Sequence, residues 1–266
     1  MLELTRTVRF CLDGDGGFRG ETRADNTYAA WPAMRGLGRY YELLVTCRGE
    51  ADPETGYFVN IKEIDRAARE FALPVVSGFA KREVGGEVVG YGEVMGGVLG
   101  AMVEGLGGKV VAVEMRLTPS YGLKIEVADM SSVLMSQQFE FAAAHRLHAA
   151  SLSDEENRRV FGKCNNVEGH GHNYRVEVNV RCGIGEGGGV PACEVLDEVV
   201  NREAIDKLDH KNLDRDVAEL AGRNTSVEHI AEVVYGMLLG PIGDEGMELV
   251  NVRVWETGKT VCTYPG

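Results

Sequence analysis

The sequence has no long apolar run, no excess of basic residues and no closely spaced cysteines. No uninterrupted apolar stretch approaches the roughly 20 residues that a membrane-spanning helix needs. Its 28 lysines and arginines are outnumbered by 41 aspartates and glutamates, giving a formal net charge of −13. This imbalance argues against general nucleic-acid or anionic-membrane binding, because both need clustered positive charge. An anionic small substrate needs only a local basic pocket and is still compatible with the composition.

The cysteines and the start of the chain predict a cytoplasmic protein. Residues 1–10 carry charged side chains and lack the continuous apolar segment of a secretory signal. The six cysteines are scattered along the chain and form no disulfide-type framework: Cys11, Cys47, Cys164, Cys182, Cys193 and Cys262. In a chain of 266 residues, this usage is typical of a reduced compartment.

Histidine is missing from the entire first half of the chain. All six histidines lie after residue 144, at His145, His148, His170, His172, His210 and His229. Histidine chemistry is therefore expected in the second half alone.

Three of these histidines have the spacing of a metal site. His170 and His172 flank Gly171 at the start of a segment in which valines alternate with polar residues, the pattern of a β-strand. A strand directs residues i and i+2 to one face, so the two imidazoles should project together. His145 ends a short apolar segment upstream. Three histidine ligands with one open position describe a catalytic zinc site.

The order of predicted elements is the same in the two halves of the chain. Periodicity and turn signals predict strand, strand, helix, helix, strand, strand in each half. In the first half these elements are residues 4–11, 40–48, 60–72, 88–105, 109–116 and 121–127. In the second half they are residues 138–147, 173–182, 194–208, a helix with Thr225 or Ser226 as N-cap and a capping box to Glu228, 249–255 and 260–264. We predict an α+β protein with two tandem domains, residues 1–130 and 131–266.

The first domain is predicted to be degenerate. Residues 36–41 (GLGRYY) align with residues 169–174 (GHGHNY), so that Leu37 and Arg39 stand in place of His170 and His172. In the same alignment, Trp31 stands in place of Cys164. The first domain thus keeps the strand pattern but lacks the metal and catalytic residues.

The second half resembles the 6-pyruvoyl-tetrahydropterin synthase family. The resemblance rests on six stretches in the family's order: residues 141–147 (FAAAHRL), 152–157 (LSDEEN), 161–166 (FGKCNN), 169–174 (GHGHNY), 208–214 (LDHKNLD) and 254–257 (VWET). It implies the tunnelling fold (T-fold), in which two helices cover a four-stranded antiparallel sheet and several sheets close into an oligomeric β-barrel. The implied reaction converts 7,8-dihydroneopterin triphosphate to 6-pyruvoyl-tetrahydropterin and triphosphate.

The resemblance also implies roles for individual residues. His145, His170 and His172 match the family's zinc ligands, and Cys164 matches its proton-abstracting cysteine. Asp209 and His210 match a relay pair, and Glu256 matches the carboxylate that anchors the pterin. Ser226 and Glu228 fall in a substrate-binding segment that departs from the family pattern by reading SVEH.

The triphosphate of the implied substrate requires cations in a protein that is acidic overall. Five basic residues near the motifs are candidates: Arg146, Arg158, Arg159, Lys163 and Lys211. Lys163 is also adjacent to Cys164, where a positive charge favours the thiolate.

Two alternative functions are compatible with the sequence. One is a 6-carboxy-tetrahydropterin synthase of queuosine biosynthesis, a related family with the same substrate, metal and fold. The interval between cysteine and histidine in that family is usually shorter than the one from Cys164 to His170. A non-catalytic pterin-binding protein is the other alternative, and the intact Cys164, Asp209, His210 and Glu256 argue against it.

The family resemblance also implies a homo-oligomer. In the family the relay pair comes from a neighbouring subunit, and the first domain has no Asp-His pair in its corresponding region, residues 70–78. We therefore expect second domains to pack against second domains, in a trimer of two-domain chains or a multiple of it. No nucleic-acid or membrane partner is expected.

Overall fold

The protein has an α+β architecture built on antiparallel β-pairs. The computed structural model describes residues 1–18, 31–34 and 36–266. The chain divides into two compact units. Unit 1 comprises Met1–Met135 and Cys182–Val190, and unit 2 comprises Ser136–Arg181 and Pro191–Gly266. Within the described residues, no helix combines the length and apolar character needed to cross a bilayer.

Unit 1 pairs its strands along an antiparallel ladder. In chain order its elements are β1 (Leu2–Leu12), β2 (Arg39–Gly49), α1 (Ile61–Ala67), α2 (Leu73–Val84), α3 (Tyr91–Leu106), β3 (Val110–Thr118) and β4 (Tyr121–Glu126). β1 pairs with β2, β2 with β3 and β3 with β4, all antiparallel. Alternate residues of β1 and β2 are buried, such as Val8, Phe10 and Leu12 of β1, as expected for strands with one face against the core.

The prediction that the first helix ends at residue 72 is wrong. A π-helical turn at Ala68–Ala72 connects α1 directly to α2, so that the helical segment continues to Val84. Pro74 lies in the first turn of α2, where a residue without an N–H group is tolerated. Ala72, Leu73 and Val76 are buried on both sides of this point, and their burial favours continued helix.

Unit 2 contains most of β5 (Asp129–His145) and β6 (His170–Gly183). Its other elements are α4 (Asp154–Phe161), α5 (Cys193–Val200), α6 (Asp206–Leu208), β7 (Lys211–Asn212), α7 (Val227–Asp244), β8 (Met247–Thr257) and β9 (Thr260–Tyr264). The strand order is β5–β6–β8–β9, and the short β7 pairs in parallel with β5. A π-helical turn at Asn201–Ile205 joins α5 to α6.

Three details of unit 2 differ from the sequence-based prediction. β5 begins nine residues earlier than residue 138, and α4 was not predicted as a helix. The capping box from Thr225 to Glu228 does not form. Ser226 is the N-cap of α7, and the Thr225 hydroxyl donates instead to Asp214.

Candidate metal centre and active site

Two neighbouring strands of unit 2 bring three histidines together. His145 is the last residue of β5, and His170 and His172 occupy the first and third positions of β6. One ring nitrogen from each lies within 4.8 Å of the others. His145 is fully buried, and its Nε2 atom is 3.2 Å from Nε2 of His170. The alternation of side chains along β6 therefore brings His170 and His172 together, and the neighbouring strand β5 adds His145.

The chemistry of this cluster fits a divalent metal such as zinc. Two nitrogens bound to one tetrahedral zinc at about 2.0–2.1 Å are about 3.3 Å apart, close to the His145–His170 separation. His172 Nε2 is buried and has no hydrogen-bond partner among the described residues. Burial lowers the pKa of His145 and of His172, which favours the neutral imidazoles that metals bind. The cluster can thus hold a metal ion.

A hydrogen-bond chain fixes the orientation of His145. Its Nδ1 is 2.7 Å from the carbonyl oxygen of Thr225, so this nitrogen donates and Nε2 is left as the metal-binding atom. The Thr225 hydroxyl donates in turn to Oδ1 of Asp214 at 2.7 Å. Thr225 is itself fully buried. The loop before α7 therefore fixes the orientation of the His145 imidazole, which lies at the end of β5.

Glu256 of β8 lies at the histidine cluster. Its Oε1 atom is 3.3 Å from His145 Nε2 and 3.8 Å from His172 Nε2, and the side chain is 21% exposed. The Glu256 carboxylate is therefore close enough to contact a ligand bound at the three histidines.

Tyr174 packs against the histidine cluster. It is fully buried, and its ring stacks on Phe141 at 4.8 Å and contacts His145 and His172 edge-on. Burial raises the pKa of Tyr174, and the neighbouring Glu256 adds to the rise. Its hydroxyl group has no hydrogen-bond partner in the described part of the chain.

Cys164 is held beside the end of β5 by the main chain. It lies in the 3-10 turn Gly162–Asn165 after α4, and its carbonyl oxygen accepts a hydrogen bond from the Leu147 N–H at 2.9 Å. The Asn165 side chain donates to the Leu147 carbonyl at 2.7 Å. The thiol is half-buried. The cysteine thus lies in the neighbourhood of the histidine cluster.

Asp209 and His210 form a turn that is hydrogen-bonded to Ala142 of β5. Asp209 Oδ1 accepts from the Ala142 N–H at 2.8 Å, and the His210 N–H donates to the Ala142 carbonyl at 2.6 Å. His210 Nδ1 donates to Asp209 Oδ2 at 2.7 Å, and the hydrogen bond from Ala142 is the largest cause of a lowered pKa for Asp209. His210 adopts a positive φ of 55° and its side chain is 83% exposed. It shares an open cleft of about 640 Å³ with His172.

The remaining predicted residues lie around the site without contacting the histidines. Lys163 is exposed in the turn that carries Cys164. The Ser226 hydroxyl donates to Glu228 and lowers the pKa of that exposed carboxylate. Among the described residues, none of the three has a hydrogen bond or ion pair with the three histidines or with Glu256.

Sequence reasoning did not assign roles to four residues that organise the site: Thr225, Asp214, Asn165 and Tyr174. Thr225 appeared only as a possible helix cap, and the other three are unremarkable polar or aromatic positions within the motif stretches. For Asp214, Asn165 and Tyr174, the position inside a motif stretch was the available sequence signal.

Comparison with known proteins assigns the second half of the chain to a family. Residues 134–266 match the family model described as 6-pyruvoyl tetrahydropterin synthase, which is half of the chain. A 6-pyruvoyl tetrahydrobiopterin synthase of Drosophila melanogaster is 39% identical over 133 residues, covering 50% of this chain and 79% of that protein. The 6-carboxy-5,6,7,8-tetrahydropterin synthase of Haemophilus influenzae is 24% identical over 151 residues, covering 49% and 96%.

A solved structure of Caenorhabditis elegans 6-pyruvoyl tetrahydropterin synthase is also similar, with a TM-score of 0.47 and 37% identity over 51% of this chain and 96% of that chain. The family match and the identity with the fly protein confirm the resemblance seen in the motifs. The chain therefore belongs to the 6-pyruvoyl tetrahydropterin synthase family.

Proposed function

We propose that the chain is a zinc-dependent 6-pyruvoyl-tetrahydropterin synthase of tetrahydrobiopterin biosynthesis. It converts 7,8-dihydroneopterin triphosphate to 6-pyruvoyl-tetrahydropterin and triphosphate, as a carbon–oxygen lyase acting on a phosphate ester. The atoms balance without an external reductant, because the side chain is oxidised while the pterin ring is reduced. The observation that carries the proposal is the convergence of three imidazole nitrogens within 4.8 Å beside a half-buried cysteine.

His145, His170 and His172 would hold the zinc ion. When bound, the ion polarises the substrate's side-chain oxygens and makes the adjacent C–H bonds more acidic. The Thr225 carbonyl keeps His145 in the tautomer that this binding requires. The neutral state favoured by burial lets His145 and His172 bind metal with little competition from protons.

Cys164 would move the protons. As a thiolate it removes a proton from one side-chain carbon, and as a thiol it returns a proton to the neighbouring position. Its main chain is tied to Leu147, two residues after His145, so the sulfur is held at a fixed place relative to the metal ligands.

Asp209 and His210 would relay protons at the mouth of the site. The Asp209 carboxylate orients the His210 ring through Nδ1, which leaves Nε2 to exchange a proton with substrate or solvent. The lowered pKa of Asp209 keeps this carboxylate ionised throughout the neutral range.

Glu256 would anchor the pterin. A carboxylate accepts two parallel N–H hydrogen bonds, and the amino group and ring N–H of a pterin offer that pair. Its position 3.3 Å from His145 Nε2 allows a ring held by Glu256 to present its side chain to the metal ligands. Ser226 and Glu228, at the start of α7, would contribute further substrate contacts.

The proposal extends to the assembly. Two tandem T-fold domains, residues 1–130 and 131–266, would assemble as a homo-oligomer whose sheets close into a β-barrel. The strongly exposed His210 favours an arrangement in which the relay pair serves a second domain of another chain.

A product assay on the zinc-loaded chain tests the function. We expect dihydroneopterin triphosphate to yield triphosphate and 6-pyruvoyl-tetrahydropterin without acetaldehyde. Stoichiometric acetaldehyde would identify a 6-carboxy-tetrahydropterin synthase instead. Binding of zinc and pterin without release of triphosphate would identify a non-catalytic pterin-binding protein.

A further inference from the structure

A second cavity of unit 2 lies next to the metal cluster and has a basic lining. Its volume is about 300 Å³, and Arg146, His148 and Arg215 contribute to its wall. This volume is at the lower end of the range for ligand pockets, about 300–1,000 Å³. Gly169 also lines the cavity and immediately precedes the metal ligand His170. A ligand group bound in this cavity would therefore lie next to a metal ion or substrate bound at the three histidines.

Neither guanidinium group of this cavity forms an ion pair with a carboxylate among the residues that the structure describes. The Arg146 guanidinium donates to the carbonyl and side-chain oxygens of Asn165, at 3.2 and 3.4 Å. The Arg215 side chain is exposed and forms no ion pair with any residue that the structure describes. In a chain of net charge −13, two guanidinium groups without carboxylate partners at one cavity leave its positive charge available to an anion.

Asp214 is the one carboxylate in this wall, and both of its oxygens are already engaged. Oδ1 accepts from the Thr225 hydroxyl at 2.7 Å, and Oδ2 accepts from the Arg146 backbone N–H at 2.6 Å. Through Thr225 it supports the orientation of His145. Asp214 thus links the cavity to the metal cluster and does not pair with either guanidinium.

We propose that this cavity is the triphosphate subsite, with Arg215 and Arg146 as the ligands of the phosphate oxygens. The inference rests on the proposed function, which supplies a substrate whose polyphosphate leaves from a carbon close to the metal-bound oxygens. The planar fork of a guanidinium matches phosphate oxygens in a bidentate way. The cationic wall also holds the departing triphosphate apart from the acidic surface of the protein.

Arg215 lines this cavity, whereas most other basic residues of the region do not. Arg158 and Arg159 lie in the exposed last turn of α4 and do not line this cavity, and Lys211 lines the cleft that contains His172 and His210. Of the five cations suggested by sequence, the cavity therefore selects Arg146, and it adds Arg215. Arg158 provides a control with the same change of charge outside the cavity.

The test compares Arg215→Gln with Arg158→Gln in the zinc-loaded, intact chain. Inorganic triphosphate is the probe, its dissociation constant is measured by calorimetry, and zinc content is determined before and after because the probe can chelate metal. We expect Arg215→Gln to weaken binding about 5- to 10-fold, the loss of one charge-assisted contact, with zinc content unchanged. Arg158→Gln should bind as the unmodified chain does. Equal binding by Arg215→Gln and the unmodified chain, or an equal loss in Arg158→Gln, would overturn the inference.

Turnover separates this inference from the proposed function. With dihydroneopterin triphosphate, Arg215→Gln should raise KM by a similar factor and leave kcat within about two-fold, because the contact is present before and during the reaction. Turnover by Arg215→Gln with an unchanged KM would reject the subsite and leave the function intact. A chain that binds triphosphate through Arg215 but does not turn over the substrate would reject the function and leave the anion site intact.

Discussion

At the scale of single residues, the site is positioned by main-chain groups of β5. Ala142 uses both its N–H and its carbonyl to hold the Asp209–His210 turn, and three residues later the same strand ends in His145. The Leu147 N–H, two residues beyond His145, donates to the Cys164 carbonyl. The end of β5 therefore fixes His145, the Asp209–His210 turn and the main chain of Cys164 relative to one another.

Replacing Cys164 separates metal binding from proton transfer. Cys164→Ala should retain zinc, because the sulfur is not one of the three clustered ligands, and should lower kcat at least about 100-fold through loss of the general base. Triphosphate release and zinc content are measured on the same sample. Cys193→Ala, at the start of α5, is the matched control and should keep both. Unchanged turnover in Cys164→Ala would remove the thiolate from the mechanism.

Thiol labelling provides a pH-dependent test of the cysteines. Burial raises the pKa of Cys182 to about 11 and also raises the pKa of Cys47. A folded-state pKa above the unfolded value means that the thiol form is favoured in the folded protein. The associated stability is complete below the ordinary thiol pKa and is lost as the pH rises toward 11. At pH 8, iodoacetamide should therefore label Cys164 and leave Cys47 and Cys182 unlabelled until the protein unfolds, as mass spectrometry of peptides would show. Labelling of Cys182 before Cys164 would contradict this order.

The residue pattern predicts the His170–His172 pair because the geometry of that pair is local. The i and i+2 alternation of a strand places His170 and His172 together wherever the strand goes. The Thr225–His145 contact spans 80 residues of sequence and depends on how the loop before α7 folds back, so no local pattern contains it. The same limitation applies to Arg215, which became a candidate only when a cavity showed what it faces.

At the scale of elements, α4 connects two parts of the site and was not recognised as a helix. It is only eight residues long and has mostly charged residues, so an apolar stripe is missing. Its capping box of Ser153 and Glu156 was the signal that sequence reasoning passed over. The turn after its C-terminus carries Cys164.

Asn157 is the residue on which the placement of α4 depends. It is fully buried, accepts from the Ala149 N–H, and donates to the carbonyls of Ala149, Leu152 and Ser153. Asn157→Ala would remove these side-chain hydrogen bonds. The Ala149 and Ser153 carbonyls would keep the N–H groups of Leu152 and Asn157, but the Ala149 N–H and the Leu152 carbonyl would lose their side-chain partner, which we expect to lower the free energy of unfolding by about 2–3 kcal/mol. Urea denaturation measures the loss.

The control for this variant is Ser153→Ala, which removes an exposed helix cap and should lower the free energy of unfolding by about 1 kcal/mol. A smaller loss in Asn157→Ala than in Ser153→Ala would show that the buried network is not what holds α4.

At the scale of the whole molecule, the chemistry is concentrated in one unit. The order of the longer strands and helices was predicted for both halves, because alternation and helical periodicity are properties of local sequence, whereas the short α4 and β7 were not predicted. The first helical segment was predicted too short because Pro74 is a local signal for a helix boundary, whereas the structure has it in the first turn of α2, after a π-helical turn. The tandem-duplication hypothesis, with its boundary at residues 130 and 131, stays a prediction.

Metal stoichiometry tests the expected division of roles. The first 144 residues contain no histidine, and the single three-ligand cluster among the described residues is His145, His170 and His172. We therefore expect one zinc per chain by elemental analysis, and less than about a tenth of that in His145→Ala. Two zinc ions per chain would show that the first half has a metal site of its own.

The central claim is that the three clustered histidines hold the metal on which turnover of a pterin triphosphate depends. The most direct measurement determines zinc content and triphosphate release together, on single preparations of the intact chain and of His172→Ala. The account predicts one zinc and steady release for the intact chain, and loss of both in the variant. Full zinc content in His172→Ala, or no release by the fully loaded intact chain, would contradict it.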